Sequence, residues 1–170
     1  MRTCLILGGA RSGKSRRALE IAETCSGALH FVATAQAFDA EMAERIARHR
    51  AERDARWTTT EAPIDLPDAI AGASDGHAVL LVDCLTLWLS NLMLGGHDVD
   101  RATRSLLDQV AAPRSAMLLF VSNELGLGLV PETPLGRQFR DEQGRLNQRI
   151  AALVGRVEFV AAGLPLVLKG

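Results

Sequence analysis

Gly8-Gly9-Ala10-Arg11-Ser12-Gly13-Lys14-Ser15 satisfies the pattern G-x-x-x-x-G-K-[ST] in full, and that spacing has a chemistry of its own. Glycines let the backbone curl so that successive N–H groups converge on phosphate oxygens, and the start of a following helix adds the positive end of its dipole. Lys14 then brings a point charge to the β- and γ-phosphates of a nucleoside triphosphate, and Ser15 offers a hydroxyl to Mg²⁺. A second oxygen ligand comes from Val79-Leu80-Leu81-Val82-Asp83, an apolar run ending in a carboxylate. Apolar strands also end in Asp as a turn or cap residue, but beside a phosphate loop the carboxylate reads as the other metal contact, direct or through water.

A third group of interest is the densely charged stretch from Asp39 to Arg56. At about 3.6 residues per turn, Met42, Ile46 and His49 fall on one apolar stripe of a helix, with Arg45, Glu52 and Arg53 around the histidine. Neighbouring arginines hold an imidazole neutral, and a neutral imidazole amid cations suits nucleophilic attack on phosphorus. A half-buried histidine on a solvated helix is the other reading of the same pattern. Ser122-Asn123-Glu124 to Pro131 carries Gly126 and Gly128, which allow either close approach to a ligand or a plain strand-to-helix connection. Arg137, Arg140, Arg145 and Arg149 beyond it could contact phosphates or face solvent or another subunit. His30, His77 and His97 lack metal-ligand spacing and read as structural or exposed; Trp57 and Trp88 read as core or interface residues.

These groups need a frame. Apolar runs at Thr3–Leu7, Ala28–Ala33, Ala78–Asp83, Ala116–Ser122 and Val157–Ala161 alternate with helical patterns, as in a mostly parallel sheet covered on both faces. Ser15 to Glu23 has helical spacing, and Leu135, Phe139, Leu146, Ile150 and Leu153 predict a long amphipathic helix over Pro134 to Leu153. Val157–Ala161, Gly163 and Leu164–Leu168 predict an antiparallel hairpin at one edge. In open α/β sheets ligands bind at the carboxyl ends of strands, which draws attention to Ala33-Thr34-Ala35, Asp83-Cys84 and Asn123-Glu124. The 170 residues are expected to form a single nucleotide-binding catalytic domain.

Composition excludes several classes. With 19 basic and 20 acidic side chains the net charge is −1, so no global field recruits nucleic acid or an anionic membrane. Aromatics make up 4% with no Tyr, which argues against base-stacking platforms. Cys4, Cys25 and Cys84 read as reduced thiols of a cytoplasmic protein, not as a disulfide framework or zinc site. Leu5-Ile6-Leu7 runs straight into the loop, so no leader peptide is expected, and the apolar stretches are too short or broken to span a bilayer.

Taken in order, these pieces resemble the bifunctional adenosylcobinamide kinase/adenosylcobinamide-phosphate guanylyltransferases of cobalamin assembly. The resemblance covers nearly the whole chain. It rests on Gly8–Ser15, Ala33-Thr34-Ala35, Glu41-Met42, Arg45-Ile46 and His49, on Trp57, Thr59 and Glu61, and on Asp83-Cys84-Leu85-Thr86. It continues through Ser122-Asn123-Glu124, Val130-Pro131-Glu132, Phe139-Arg140-Asp141 and Asn147-Gln148. It implies an α/β fold of P-loop NTPase type (RecA-like) and two reactions. ATP or GTP phosphorylates the aminopropanol hydroxyl of adenosylcobinamide; GTP then donates GMP to adenosylcobinamide phosphate through a guanylyl-histidine, matched here by His49. It further implies nucleotide contacts at Gly8, Gly9, Ala10, Arg11, Ser12, Gly13, Lys14, Ser15, Ala33, Thr34, Ala35, Arg50, Ala51, Glu52, Arg53, Glu61 and Asp83. The resemblance also implies Lys14 beside His49 as a catalytic residue, Mg²⁺ on Ser15 and Asp83, and a homotrimer. A plain phosphate-loop kinase with an inert His49 and a nucleotide-gated switch remain the competing readings. Against the switch, no Asn-Lys-x-Asp motif for reading guanine occurs.

Overall fold

The computed structural model describes residues 2–36, 44, 53–73 and 76–170. Among them, one sheet holds β1 (Thr3–Gly8), β2 (Leu29–Ala33), β3 (Trp57–Glu61), β4 (Val79–Asp83), β5 (Met117–Asn123), β6 (Arg156–Ala161) and β7 (Leu164–Lys169). The order is β3-β2-β4-β5-β1-β6-β7. Every pairing is parallel except that of β6 with β7, so the expected parallel sheet and its antiparallel closing hairpin are both present. The helices described are α1 (Lys14–Glu23), α2 (Leu66–Gly72), α3 (Leu85–Leu94), α4 (Val99–Ala111) and α5 (Pro134–Leu153).

Successive residues of a strand face opposite sides, and here both sides are covered, which is why the central strands are continuously apolar. On one side Leu5, Leu7, Val32, Leu80, Val82, Leu118 and Phe120 meet Leu66, Ile70, Trp88, Leu89, Leu106, Leu146 and Ile150 from α2 to α5. On the other, Cys4, Ile6, Phe31, Leu81, Leu119 and Val121 meet Ala18 and Ala22 of α1. The two alanines let α1 lie close against the strands. Trp88 is a core residue whose indole N–H donates to the Ile64 carbonyl at 2.8 Å, whereas Trp57 is half-buried, edge-on to Phe31.

Strand boundaries fall within a residue of the sequence expectation, and α5 matches its predicted range. The edge strand β3 was not foreseen. Its Trp-Thr-Thr-Thr-Glu is mostly exposed, so it lacks the apolar run that marks the central strands; its three β-branched threonines were the available signal. The helix expected over Asp39 to Arg56 lies mostly outside the described residues. His30 and His77 are structural: their rings lie 4.8 Å apart. Both ring nitrogens of buried His30 meet threonine hydroxyls, Nδ1 that of Thr58 at 2.6 Å and Nε2 that of Thr60 at 3.1 Å. Burial, and then the neighbouring His77, hold the His30 pKa below its ordinary value.

One charge sits inside the sheet. Glu158 of β6 is buried, and its carboxylate accepts from Arg17 Nε of α1 at 2.8 Å and from Arg156 Nε at 2.8 Å. The triad fastens the first helix to the strand beside β1. The Arg17 hydrogen bond holds the Glu158 pKa below its ordinary 4.5 despite burial. Both arginines keep partial access to water, with 30% and 25% of their side chains exposed, so they can rehydrate when the carboxylate is lost. Glu158→Gln is therefore expected to cost about 2 kcal/mol, lowering Tm by roughly 4–8 °C. Because the folded pKa is depressed, the carboxylate's contribution is complete above pH 4.5 and vanishes as pH falls through the folded value. Thermal melts of both proteins from pH 7 to pH 3 should converge at the acid end; a constant gap would assign the loss to packing instead.

Candidate functional site

The phosphate loop connects β1 to α1, and its conformation follows from its sequence. Gly13 precedes the helix at φ +97°, a left-handed conformation that a side chain resists. Gly8 is required for space: a Cβ there would lie 2.4 Å from Ser12 Oγ and 2.6 Å from the Val160 carbonyl oxygen. Neighbouring strands hold the curl from outside. Glu124 N–H donates to the Gly8 carbonyl at 3.1 Å, and Gly163 N–H, in the β6–β7 turn, donates to the Ser12 carbonyl at 2.8 Å. Lys14 Nζ donates to the Gly9 carbonyl at 3.0 Å, folding the ammonium over the loop it would share with a phosphate. Ser12 Oγ is buried without a hydrogen-bond partner, an orphan donor where an anion would sit.

The remaining positions collect along the same edge of the sheet. In register, Ala33 of β2 lies between Glu61 of β3 and Asp83 of β4; β5 then separates β4 from Gly8 of β1. Thr34, fully buried, ties this edge together. Its hydroxyl accepts from Cys84 N–H and donates to the Cys84 carbonyl, each at 2.7 Å. Asn91 of α3 donates from one amide to the carbonyls of Thr34 at 2.8 Å and Pro63 at 3.0 Å. Two side chains thus fix the backbone beyond three strands. Sequence reasoning missed Asn91, although a buried Asn in the leucine-rich run of α3 is the kind of polar exception that marks such a tie.

Burial drives the Cys84 thiol up to about 11, with the Asp83 charge adding and the Lys14 ammonium opposing. Cys84 is therefore no nucleophile at neutral pH, and it lies within electrostatic reach of both Asp83 and Lys14. Burial likewise pushes Cys4 up to about 12. The two residues that the sequence suggests for a divalent cation, Ser15 and Asp83, would offer oxygen only, a hydroxyl and a carboxylate. Among the described residues no cluster of three His, Cys, Asp or Glu could hold a metal alone. That poverty fits Mg²⁺, which keeps waters and borrows phosphate oxygens.

Of the other sequence-derived positions, Ala35 follows Thr34 and is half-buried. Arg53 places its guanidinium carbon 3.9 Å over the Phe31 ring centroid, so this arginine packs on the face that carries α1. His49, Arg50, Ala51 and Glu52 lie outside the described residues, as do Glu41, Met42, Arg45 and Ile46.

A phosphate loop between a first strand and helix, at the carboxyl edge of a parallel sheet with one strand between it and the strand ending in Asp83, defines a fold of P-loop NTPase type. Solved structures share the fold. The type III secretion ATPase EscN of enteropathogenic E. coli matches with TM-score 0.58 at 12% identity, over 95% of this chain and 43% of that one. A Pyrococcus horikoshii protein matches with TM-score 0.57 at 10% identity, over 99% of this chain and 86% of that one. The family model for cobinamide kinase / cobinamide phosphate guanyltransferase matches residues 4–168, and the chain belongs to that family. The bifunctional adenosylcobalamin biosynthesis protein CobP of Pseudomonas aeruginosa is 48% identical over 98% of this chain and 96% of its own length. CobU of Escherichia coli, which carries the same description, is 37% identical over 97% and 98%.

Thr34→Val keeps the shape of the side chain and removes the hydroxyl, leaving the buried Cys84 N–H unpaired and its carbonyl with only the Trp88 N–H, at 3.2 Å. We expect a loss of about 2 kcal/mol in stability and roughly tenfold weaker GTP binding, with Thr34→Ser recovering most of both. Calorimetric GTP titration with parallel melts checks this. Unchanged GTP affinity in the valine variant would show that the tie does not shape the nucleotide site.

Proposed function

We propose that this chain is a bifunctional transferase of cobalamin biosynthesis, working as one catalytic domain through both steps. In the first, the aminopropanol hydroxyl of adenosylcobinamide attacks the γ-phosphorus of ATP or GTP and a nucleoside diphosphate leaves. In the second, an imidazole nitrogen of His49 attacks the α-phosphorus of GTP, the bond to the α–β bridging oxygen breaks and pyrophosphate departs. The phosphate of adenosylcobinamide phosphate then attacks the same phosphorus, the P–N bond breaks, and adenosylcobinamide-GDP is released with the histidine restored. Splitting the transfer this way predicts ping-pong behaviour for the guanylyl half.

The observation that carries the reading is the family match along nearly the whole chain, joined to a loop whose glycines and orphan Ser12 hydroxyl suit a bound polyphosphate. Lys14 and the loop N–H groups would neutralise charge that builds on the phosphates, which is most of what such transfers require. Ser15 and Asp83 would hold Mg²⁺, which when bound supplies further charge neutralisation at the triphosphate. Ala33 to Ala35 and Glu61 would contact the nucleotide on one side of Asp83, with Arg50 to Arg53 contributing from the connection between β2 and β3. A homotrimer accords with β7, whose Leu164, Leu166, Val167 and Leu168 are all exposed on a sheet edge, an arrangement that invites a second chain. Among the described residues no helix is long and apolar enough to cross a membrane, and a cytoplasmic location suits the chemistry.

Incubation with α-labelled GTP should give acid-labile labelled protein, absent in His49→Ala, while the variant keeps some phosphorylation of adenosylcobinamide. Lys14→Ala should lower both activities by about 100-fold or more, since both reactions build charge on one triphosphate. No label under saturating Mg²⁺ would leave a plain kinase; a kinase step at normal rate in Lys14→Ala would place the donor elsewhere.

A further inference from the structure

Asn123 ends β5, the strand lying between β1 with its phosphate loop and β4 with Asp83. In register it sits directly across from Gly8, and Asp83 pairs with Val121 on its other side. Asn123 therefore stands at the rim between the loop and the metal-type carboxylate. No reading of the sequence gave it a role of its own.

Its backbone is unusually committed. The Asn123 N–H donates to Thr86 Oγ1 at 2.8 Å, from the first turn of α3, and its carbonyl accepts from Asn147 Nδ2 of α5 at 3.0 Å. Behind it, Asn147 Oδ1 accepts from Ser122 Oγ at 2.7 Å and from Gln143 Nε2 at 3.0 Å, and Gln143 Nε2 also donates to Ser122 Oγ at 2.9 Å. Ser122, Gln143 and Asn147 are all buried. Two helices thus hold one residue of backbone with side-chain hydrogen bonds, leaving rotation of the carboxamide as the main freedom at this position.

Within that network Gln143 Oε1 is buried without a partner, and at the rim Asn123 Oδ1 is buried without one as well. An unpaired buried acceptor costs about 1–3 kcal/mol, and a position this heavily supported has no structural need for it. Ser12 Oγ, 2.4 Å from where a Gly8 Cβ would lie, is the other orphan on this flank of the loop. Ser12 belongs to the loop and is explained by phosphate. Asn123 lies off the loop, supplies an acceptor, and so calls for a donor hydroxyl.

We propose that the Asn123 carboxamide is a substrate contact of the kinase half-reaction: its oxygen accepts the hydrogen bond of the attacking alcohol and aims that hydroxyl at the γ-phosphorus. This rests on the kinase reading above. The alcohol oxygen forms the new bond to phosphorus as the bond to the β–γ bridging oxygen breaks, its electron pair leaving with the nucleoside diphosphate. The hydroxyl proton passes to water, because an amide is too weakly basic to keep it. Asn123 acts by orientation, favouring alcohol over water as nucleophile.

The test is the partition between alcohol phosphorylation and triphosphate hydrolysis, measured on the full chain with adenosylcobinamide, ATP and Mg²⁺. Asn123→Ala should lower kcat for phosphorylation about 100-fold while hydrolysis to water persists, so more triphosphate is consumed per product formed. KM for ATP and self-labelling from α-labelled GTP should stay within about threefold of the wild type. Asn123→Ser, which retains an oxygen on a shorter arm, should recover part of the coupling and guards against a folding artefact in the alanine variant. Coupling and phosphorylation within about twofold of wild type in both variants overturn the contact, as does a parallel fall of phosphorylation, self-labelling and Tm. A wild-type protein that labels itself but never phosphorylates the alcohol overturns the kinase reading and this contact with it; the comparison of variants separates the two failures.

Discussion

A curl of backbone N–H groups can serve phosphate only if it stays curled without one, and the loop's own contacts are too few for that. The Ser12 N–H to Gly9 carbonyl contact, at 3.3 Å, is long. What holds the shape is external: the N–H of Glu124, just past β5, takes the Gly8 carbonyl, and that of Gly163 in the β6–β7 turn takes the Ser12 carbonyl. The Gly8 and Ser12 carbonyls are thereby engaged by donors from outside the loop. The loop is therefore a product of the sheet's order, because both strands flanking β1 contribute a donor at its carboxyl end. The Glu158 triad adds a third restraint by fixing α1, whose first turn carries Lys14 and Ser15, to β6.

The same logic runs along the whole edge. Below it the strands are apolar and held by burial on both faces, which fixes their spacing but says nothing about the backbone beyond their last residues. There the chain changes to Thr34, Thr86, Asn91, Ser122, Gln143 and Asn147, polar side chains that are buried and bonded to one another or to strand-end backbone. Each would be costly alone and is tolerated because it is paired. Networks of this kind hold geometry to a fraction of an ångström, which transfer reactions demand more than they demand strong acids or bases.

This division also explains what could be read from the residues in order. Central strands and the long helix announce themselves through apolar runs and periodicity, because burial on two faces leaves no room for other residues. The loop was legible because its glycines answer steric demands at Gly8 and Gly13 that few other residues meet. β3 was invisible because an exposed edge strand of threonines has no apolar run. Asn91 was illegible, and Asn123 was marked only by its place after a strand and in the resemblance, for a different reason. Their importance lies in partners distant in sequence, Thr34 and Pro63 for one and Thr86 and Asn147 for the other, and no local pattern encodes those pairings.

On the function proposed above, one triphosphate would serve transfer at both its γ and its α phosphorus, and this layout bears on how. From β3 to β1 the edge crosses four strand intervals, about 19 Å at the usual spacing. Glu61 and the loop stand at its two ends, with Ala33, Asp83 and Asn123 between them. A nucleotide lying along that edge would present different phosphorus atoms to different stations without leaving the loop. An alcohol directed by Asn123, as proposed, would approach the phosphate nearest the loop. His49 lies between β2 and β3 in sequence, outside the described residues. On the function proposed above, two reactions on one bound triphosphate would call for two directions of approach along this edge rather than two nucleotide sites.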